Sequence, residues 1–363
     1  VLTFGLVKYA PIIERAFEEG YVQPKPPLFR TGKKVAVIGS GPAGLTCADQ
    51  LNKMGHDVIL YEAAKDIGGY LRYGIPDFKL DKSVIDRRVN LLKEEGLVIK
   101  TGIKVGTDIS VDKLLSEFDA ISLAIGARVP RDLPITGREL DGIHFAVDYL
   151  TQQNQTVARR GYPVENQITA TGKHVVVIGG GDTGADCVGT AVRQGAKSVT
   201  QLEILPQPPD GRKADNPWPL WPQTYQTSSS HKEGCERHFS ITTKGFLGSG
   251  HVQKLVTSKV EWVPDKNSGY TMNEIPKTKR EFDAELVLLA MGFTQVEVDG
   301  LISDLDIEVS PQGNILVDDN NMTNVPGIFA MGDAQRGPSL IVWAIHDGRE
   351  AAESINRYLD PKP

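Results

Sequence analysis

Two segments of the sequence repeat the spacing G-x-G-x-x-G, and each follows a short run of β-branched residues. A pyrophosphate accepts hydrogen bonds from the backbone N–H groups at the start of a helix only if no side chain blocks its approach. Glycines at these positions allow a tight turn, the approach of the phosphates and close packing of the helix on the strand. The spacing therefore predicts two phosphate-binding turns. The first comprises Gly39, Gly41, Pro42, Ala43 and Gly44, and the second comprises Gly179, Gly181, Asp182, Thr183 and Gly184.

An acidic residue ends the strand that is predicted after each turn. Glu62 lies about 20 residues beyond the first glycines, where a carboxylate accepts hydrogen bonds from an adenosine ribose. Glu203 takes the same place after the second glycines. A carboxylate there repels the 2′-phosphate of NADPH, whereas Arg212 and Lys213 in the following loop could fold back onto that phosphate. The balance favours NADH at the second turn.

The elements around the turns are those of an α/β fold. Strand-like runs at 33–38 and 173–178 enter the two turns, and helical segments leave them. This unit occurs twice, about 140 residues apart, which predicts two Rossmann-like dinucleotide-binding domains. A later strand in each unit ends in a turn of small residues, at Gly126 and at Gly292, and both glycines are predicted to border a cofactor.

Two dinucleotide sites in one chain indicate hydride transfer between a nicotinamide and a flavin. That step needs the two rings to stack in a dry pocket, and it needs no side-chain acid or nucleophile, so no catalytic side chain is predicted. Cys47, Cys187 and Cys235 are scattered and form no C-x-x-C pair. Their spacing argues against a redox-active disulfide and against an iron–sulfur cluster held by this chain alone. The histidines show no ligand pattern, and no metal site is predicted.

The composition indicates the class of protein. A chain of 363 residues is long enough for two domains, and its 40% hydrophobic and 24% charged residues are typical of a globular protein. The net charge of -6 gives no electrostatic reason to bind nucleic acid or an anionic membrane. No apolar run approaches the roughly 20 residues that span a bilayer, and the first residues lack the pattern of a secretion signal. We therefore expect a cytoplasmic protein without a nucleic-acid or membrane partner.

Longer stretches of the chain are similar to the small (beta) subunit of glutamate synthase and to the equivalent C-terminal module of the fused enzyme. They are Gly68–Leu80, Gly179–Asp186, Gln201–Pro209 with Asp215–Pro219, and Gly332–Ile345. The similarity covers nearly the whole chain and implies FAD at the first turn and NADH or NADPH at the second. It also implies a function. FAD would accept a hydride, and iron–sulfur clusters outside this chain would carry electrons to the glutamate synthase large subunit or domain for glutamate formation.

The resemblance implies roles for individual residues. Gly39, Gly41, Gly44 and Glu62 would hold the FAD pyrophosphate and ribose, and Asp333, after Gly332, would bind the ribityl or phosphate region. The backbone N–H groups at the start of the last helix would stabilise negative charge on the reduced flavin. The residues implied to flank the flavin are Gly69, Leu71, Tyr73, Ile75 and Pro76, and those at the helix start are Ser339, Leu340, Ile341 and Val342.

The predicted domain order follows from the position of Asp333. Because the Gly332-Asp333 segment must return to the first turn, the FAD domain is predicted to be discontinuous, over 28–145 and 295–363. The nicotinamide domain is predicted over 146–294, and residues 1–27 are predicted to form a helix and an extended linker. We expect this chain to lack the cysteine-rich N-terminal domain of the family apart from this helix and linker. The region 223–239 also departs from the family pattern, with the polar run Ser228–Ser230 where a more apolar helix is expected.

Two alternatives remain open from the sequence. One is a related electron-transfer flavoprotein, such as a ferredoxin–NAD(P) reductase or the flavin module of dihydropyrimidine dehydrogenase. The other is a fragment that binds cofactors without turnover. The electron acceptor distinguishes the first from glutamate synthase, and reduction of bound flavin by NADH distinguishes the second.

Overall fold

The computed structural model describes residues 11–159, 166–218, 222–265 and 269–360. The other positions lie outside the described residues and fall in the predicted N-terminal segment, in the predicted nicotinamide domain and at the end of the predicted FAD domain. The chain divides into two compact units, which are Val1–Pro130 with Phe293–Pro363, and Arg131–Gly292. Within the described part of the chain, no helix is both long enough and apolar enough to cross a membrane.

The first unit is built on a parallel sheet. Its strands are β1 (Lys34–Ile38), β2 (Asp57–Glu62), β3 (Val98–Thr101), β4 (Ala120–Leu123) and β16 (Ile328–Ala330), and their spatial order is β16-β4-β1-β2-β3. The helices are α1 (11–18), α2 (Pro42–Lys53), α3 (Tyr70–Tyr73), α4 (Ser83–Glu94), α5 (Val111–Glu117), α9 (Leu301–Asp304), α10 (Asp333–Arg336) and α11 (Ile341–Leu359).

Both faces of this first sheet are covered, which explains why β1 is a continuous apolar run. Val35 and Val37 face a core that α2, α4 and α11 complete, whereas Ala36 and Ile38 face a second core that includes α5. The alternation follows from the two-residue period of a strand. Burial on both faces is typical of parallel sheets, as the β-branched runs predicted.

The second unit combines a parallel sheet with an antiparallel one. The parallel strands are β6 (Ile143–Phe145), β7 (His174–Ile178), β8 (Ser198–Leu202), β9 (Glu236–His238) and β14 (Leu286–Leu289), in the spatial order β6-β14-β7-β8-β9. The antiparallel strands are β10 (Ile241–Ser249), β11 (His251–Asp265), β12 (Gly269–Glu274) and β13 (Arg280–Asp283). The helices are α6 (Ala146–Ala158), α7 (Asp182–Arg193) and α8 (Ser229–Glu233). The antiparallel sheet packs on one face of the parallel sheet, and α6 and α7 pack on the other.

The boundary of the second unit differs from the predicted one. The second unit begins after Pro130 rather than after residue 145, and it ends at Gly292 rather than at residue 294. Residues 131–145 belong to the second unit because β6 pairs with β14 and because the Thr136 carbonyl accepts the Phe246 N–H at 2.9 Å. The return to the first unit begins at Phe293 because β15 (Phe293–Gln295) pairs antiparallel with β5 (Val129–Pro130).

The predicted N-terminal helix is present as α1 and belongs to the first unit. It packs on α4 through Arg87, whose guanidinium pairs with Glu14 at 2.6 Å and lies 3.8 Å from the centre of the Phe17 ring. The segment that follows contains Pro24, Pro26 and Pro27 and forms no helix or strand. Prolines prevent both because they lack an N–H group and fix φ.

Candidate functional site

The first glycine turn joins β1 to α2 and leaves almost no space at its two outer glycines. Gly39 has φ +100°, and a Cβ on it would lie 2.3 Å from the Ala124 carbonyl oxygen. A Cβ on Gly44 would lie 1.9 Å from the Gly39 carbonyl oxygen. Both positions therefore require glycine so that α2 can start directly against the ends of β1 and β4.

Gly41 is different, because the space beside it is open. A Cβ there would meet no atom within 4 Å, and its φ of -65° suits any residue. Steric fit inside the protein therefore does not explain this glycine. Gly41 caps α2, whose first-turn N–H groups have no partner within the helix and attract an anion. The open space at this helix end is the cradle that a pyrophosphate needs.

Glu62 reaches this turn and holds it together. Its carboxylate accepts hydrogen bonds from the Ser40 N–H at 3.1 Å, from the Ser40 hydroxyl and from the Ala64 N–H at 2.7 Å. The Ser40 hydroxyl in turn accepts the Gly68 N–H at 3.0 Å. Because a carboxylate has about four lone-pair positions, these three bonds leave capacity for a ribose hydroxyl.

The second turn repeats this geometry residue by residue. A Cβ on Gly179 would lie 2.2 Å from the Ala290 carbonyl oxygen, and one on Gly184 would lie 2.2 Å from the Gly179 carbonyl oxygen. A Cβ on Gly181 would again meet nothing within 4 Å, and Gly181 caps α7. Glu203 accepts the N–H groups of Gly180 at 2.6 Å and Leu205 at 2.9 Å. The two units thus present the same open helix end beside the same type of carboxylate.

The glycines after β4 and β14 also correspond to each other. Gly126 has φ +71° and Gly292 has φ +80°, and a Cβ on either would meet no atom within 4 Å. Gly126 lies two residues after Ala124, and Gly292 lies two residues after Ala290. The carbonyls of these two alanines are the ones that a Cβ on the first glycine of each turn would contact. Both glycines therefore lie at the carboxyl edge of a parallel sheet, the edge at which such folds bind ligands.

The residues that the resemblance assigned to the flavin are brought together only in part. Gly69, at φ +53°, approaches the first turn, since a Cβ on it would lie 3.0 Å from the Gly41 Cα. Leu71 and Ile75 instead pack against the core that includes α2. Pro76 is buried, and the Tyr73 hydroxyl accepts the Asp66 N–H at 3.0 Å. Gly69 borders the open space, whereas the others shape the loop behind it.

Small residues bring α11 against the first turn, which sequence spacing did not indicate. A Cβ on Gly348 would lie 2.4 Å from the Ala43 carbonyl oxygen, and one on Gly332 would lie 2.8 Å from the Ala43 Cβ. The backbones of α2 and α11 therefore touch. A glycine at an interior helical position was the available signal, because glycine is unfavourable there without a packing reason.

Asp333 begins α10, and Ser339 lies two residues before the start of α11. The Asp333 carboxylate accepts the Ser339 N–H at 3.1 Å and the Ser339 hydroxyl at 2.8 Å. Burial raises the pKa of Asp333 above its usual range, and the two hydrogen bonds only partly oppose that shift. Leu340 caps α11, and Leu340 and Val342 are exposed, while Ile341 is half-buried.

The raised pKa of Asp333 gives a testable pH dependence. The folded carboxyl binds its proton more tightly than the unfolded one. Proton binding therefore stabilises the fold at low pH, and this stabilisation is lost as pH rises through the folded pKa. Asp333→Asn cannot ionise. Relative to the natural chain, its free energy of unfolding should therefore increase as pH rises from about 4 to about 7. Urea unfolding of both flavin-free proteins across this range measures the difference, and a flat or falling difference would contradict the prediction.

A hydrogen-bonded chain under the second turn was also missed from the sequence. The buried Gln201 donates from Nε2 to the Gly179 carbonyl at 2.8 Å, and its Oε1 lies 2.9 Å from His231 Nε2. Since an amide oxygen only accepts, that histidine nitrogen carries the hydrogen. Ser228 caps α8 and binds the other ring nitrogen of His231. The polar run that departs from the family pattern thus supports the second turn.

The first unit has Leu60 at the position of Gln201, which suggests a direct test. Gln201→Leu keeps the volume but removes the hydrogen-bond donor to the carbonyl of the half-buried Gly179. We expect the free energy of unfolding of the second unit to fall by about 1–3 kcal/mol, with flavin content unchanged. Gln253→Leu, on the exposed part of β11, is the matched control and should change stability by less than about 0.5 kcal/mol. Equal effects of the two substitutions in urea unfolding would refute this role.

The three thiols have raised pKa values. All three cysteines of the sequence lie in the described residues and are free. Burial raises the pKa of Cys47 to about 12 and that of Cys235 to about 11, and it raises the pKa of Cys187 well above its usual range. Thiols with a raised pKa carry little reactive thiolate.

One group in the described part of the chain lies close enough to share a metal ion, namely His346, Asp347 and Glu350. Its buried member, Asp347, already forms a two-pronged pair with Arg336, at 2.8 and 2.5 Å. The other two are exposed. The arrangement is that of an ion pair at a helix surface and gives no reason to assign a metal.

Comparisons with known proteins agree with this geometry. Residues 33–348 match the family model "Pyridine nucleotide-disulphide oxidoreductase". A Mycobacterium tuberculosis protein named "Glutamate synthase [NADPH] small chain" is 48% identical over 354 residues, covering 96% of this chain and 71% of that protein. A Schizosaccharomyces pombe protein named "Glutamate synthase [NADH]" is 45% identical, covering 95% of this chain and 17% of that protein. The solved structure "Mycobacterium tuberculosis FprA in complex with NADPH" has the same fold, with a TM-score of 0.73 at 18% identity over 91% of this chain and 85% of that chain.

The fold and its paired dinucleotide turns define an NAD(P)H-dependent flavoprotein oxidoreductase. Within that class, the chain belongs to the family of glutamate synthase small chains, which confirms the resemblance found in the sequence. The two Rossmann-like domains are likewise confirmed.

Proposed function

We propose that the first unit binds FAD, that the second binds the nicotinamide dinucleotide, and that the chain supplies electrons to a glutamate synthase large subunit or domain. Iron–sulfur clusters outside this chain would carry them there. The observation that carries this proposal is the open helix end at Gly41 and again at Gly181, each beside a carboxylate. The names of the relatives support the assignment to glutamate synthase.

Each residue then has a stated task. The first-turn N–H groups of α2 and α7 would bind the two pyrophosphates, and Glu62 and Glu203 would accept a ribose hydroxyl each. Asp333 would bind near the ribityl chain, and the start of α11 would place N–H groups beside the flavin pyrimidine. When bound, the flavin supplies the hydride chemistry, since it accepts a hydride and releases single electrons. The side chains therefore bind and orient, and none is required as an acid or a base.

We propose NADH as the nicotinamide substrate because Glu203 follows β8. Its carboxylate would accept the ribose hydroxyl of NADH and would repel the 2′-phosphate of NADPH. The named relatives include both an NADPH protein and an NADH protein, so their names favour neither cofactor. Rates of flavin reduction by the two cofactors, measured side by side, test this preference.

Anaerobic mixing with NADH tests the function itself. The bound flavin should lose its yellow colour, and with the large chain and its clusters, glutamine and 2-oxoglutarate should then be converted to glutamate. An unchanged flavin spectrum would show a binding protein without turnover. Reduced flavin that passes electrons to ferredoxin but not to the large chain would instead identify a ferredoxin–NAD(P) reductase.

A further inference from the structure

A cavity lies in the second unit, between the end of β9 and the antiparallel sheet. Its volume is about 350 Å³, and we refer to it as the β9 cavity. The lining residues that matter here are Arg237, His238, Phe239, Lys259, Arg280 and Phe282. They come from β9, β11 and β13 and the residue after β9, so the cavity exists only once the two sheets have packed.

The β9 cavity concentrates positive charge that no carboxylate neutralises. Arg237, Lys259 and Arg280 line it, no acidic residue lines it, and none of the three forms an ion pair within the described residues. Elsewhere on the same sheet the lysines are paired, Lys244 with Glu274 at 2.7 Å and Lys254 with Glu281 at 2.9 Å. Three uncompensated cations around one cavity, in a chain of net charge -6, favour an anionic occupant.

The two arginines are held in place by aromatic rings. The Arg237 guanidinium lies 4.8 Å from the centre of the Tyr225 ring, and the Arg280 guanidinium lies 4.5 Å from that of Phe282. Such stacking leaves the edge of a guanidinium free to donate, and the Arg237 Nη1 already donates to the Gln226 carbonyl at 3.0 Å. It also reduces the entropy that anion binding costs.

Two nitrogens of residues that line the cavity have no hydrogen-bond partner within the described residues. The Nε of Arg237 and the Nε2 of His238 are buried and have no hydrogen-bond partner in the described part of the chain. The nearest carboxylate to His238 is that of Glu236, at 3.6 Å, which is too long for a hydrogen bond. A buried arginine N–H without an acceptor is rare because it costs about 1–3 kcal/mol, whereas the histidine nitrogen is a donor in only one of its tautomers. Since these two atoms have almost no accessible surface, the attraction for an anion comes from the cationic lining of the cavity.

We propose that the β9 cavity binds a phosphate group, at a site separate from the glycine turn. Paired arginines with a lysine match the oxygens of a phosphate. The cavity adjoins the end of β8, because the Glu203 N–H donates to the His238 carbonyl at 2.8 Å. The phosphate group therefore has two sources to consider, a free phosphorylated small molecule and the 2′-phosphate of NADPH. The second source rests on the proposed nicotinamide site in the second unit, and it would overturn the proposed preference for NADH.

The test uses inorganic phosphate as the probe and the whole chain with its flavin. Phosphate binding is measured by ³¹P line broadening in the presence of saturating NADH. The affinity for phosphate should fall about tenfold or more in the double variant Lys259→Gln/Arg280→Gln. Lys254→Gln is the matched control, because it removes a paired lysine from the same sheet outside the cavity. Nicotinamide fluorescence measures NADH binding independently of phosphate binding. Loss of NADH binding would therefore count against the proposed function, and not against the phosphate site.

The outcomes separate the two sources. Phosphate binding that persists with NADH but is lost with NADPH identifies the 2′-phosphate as the occupant, and the double variant should then lose affinity for NADPH alone. Phosphate binding that persists with both cofactors identifies a free phosphorylated molecule. Equal phosphate affinity in the natural chain and the double variant, or an equal loss in Lys254→Gln, overturns the proposal.

Discussion

Gly181→Val should leave flavin bound but lower its rate of reduction by NADH at least about 100-fold. A Cβ at this position would have no atom within 4 Å, so the fold should survive. The added side chain would instead fill the space that the pyrophosphate needs. Losing two charge-assisted hydrogen bonds from the start of α7 costs about 3 kcal/mol, which corresponds to the stated factor.

Gly41→Val is the matched variant in the first unit and should have the reciprocal effect. It should remove FAD from the purified protein while NADH binding, measured by nicotinamide fluorescence, is retained. Stopped-flow flavin reduction measures the effect of Gly181→Val, and flavin absorbance measures that of Gly41→Val. Flavin reduction at the natural rate in Gly181→Val would exclude the second turn as the nicotinamide site.

Gly44→Ala should destabilise the first unit by about 3 kcal/mol or more, because a Cβ there would lie 1.9 Å from the Gly39 carbonyl oxygen. Helix propensity alone predicts the opposite, since alanine stabilises a helix interior by about 1 kcal/mol relative to glycine. The steric term should dominate because the contacted atom is backbone and cannot rotate away. Relief would require α2 to separate from β1.

Urea unfolding of the flavin-free protein measures this effect. Gly41→Ala is the control, because it adds the same methyl group at the cap of the same helix, where nothing lies within 4 Å. Its stability should fall by at most about 1 kcal/mol, because alanine is a poorer N-cap than glycine. Gly184→Ala should reproduce the large effect in the second unit, where the corresponding distance is 2.2 Å. Equal stabilities of Gly44→Ala and Gly41→Ala would refute the steric argument.

Local patterns in the sequence were sufficient to identify the turns. The spacing of Gly39, Gly41 and Gly44 after a β-branched run encodes a strand, a turn and a helix, and each feature involves residues close together in the chain. The same holds for the second turn and for the acids Glu62 and Glu203. These patterns also predicted the two domains. The family resemblance added the flavin residues, of which only Gly69 is seen to approach the open space at Gly41.

Longer-range packing decided the rest. The boundary at residue 131 depends on β6 pairing with β14, about 140 residues later, and the Gly348–Ala43 contact joins opposite ends of the chain. Gln201 has no visible role until α8 brings His231 to it. The β9 cavity likewise needs Arg237, Lys259 and Arg280 from separate strands. Hydrophobic periodicity specifies which face of an element is buried, but not which distant element covers it, so these features exist only in the packed structure.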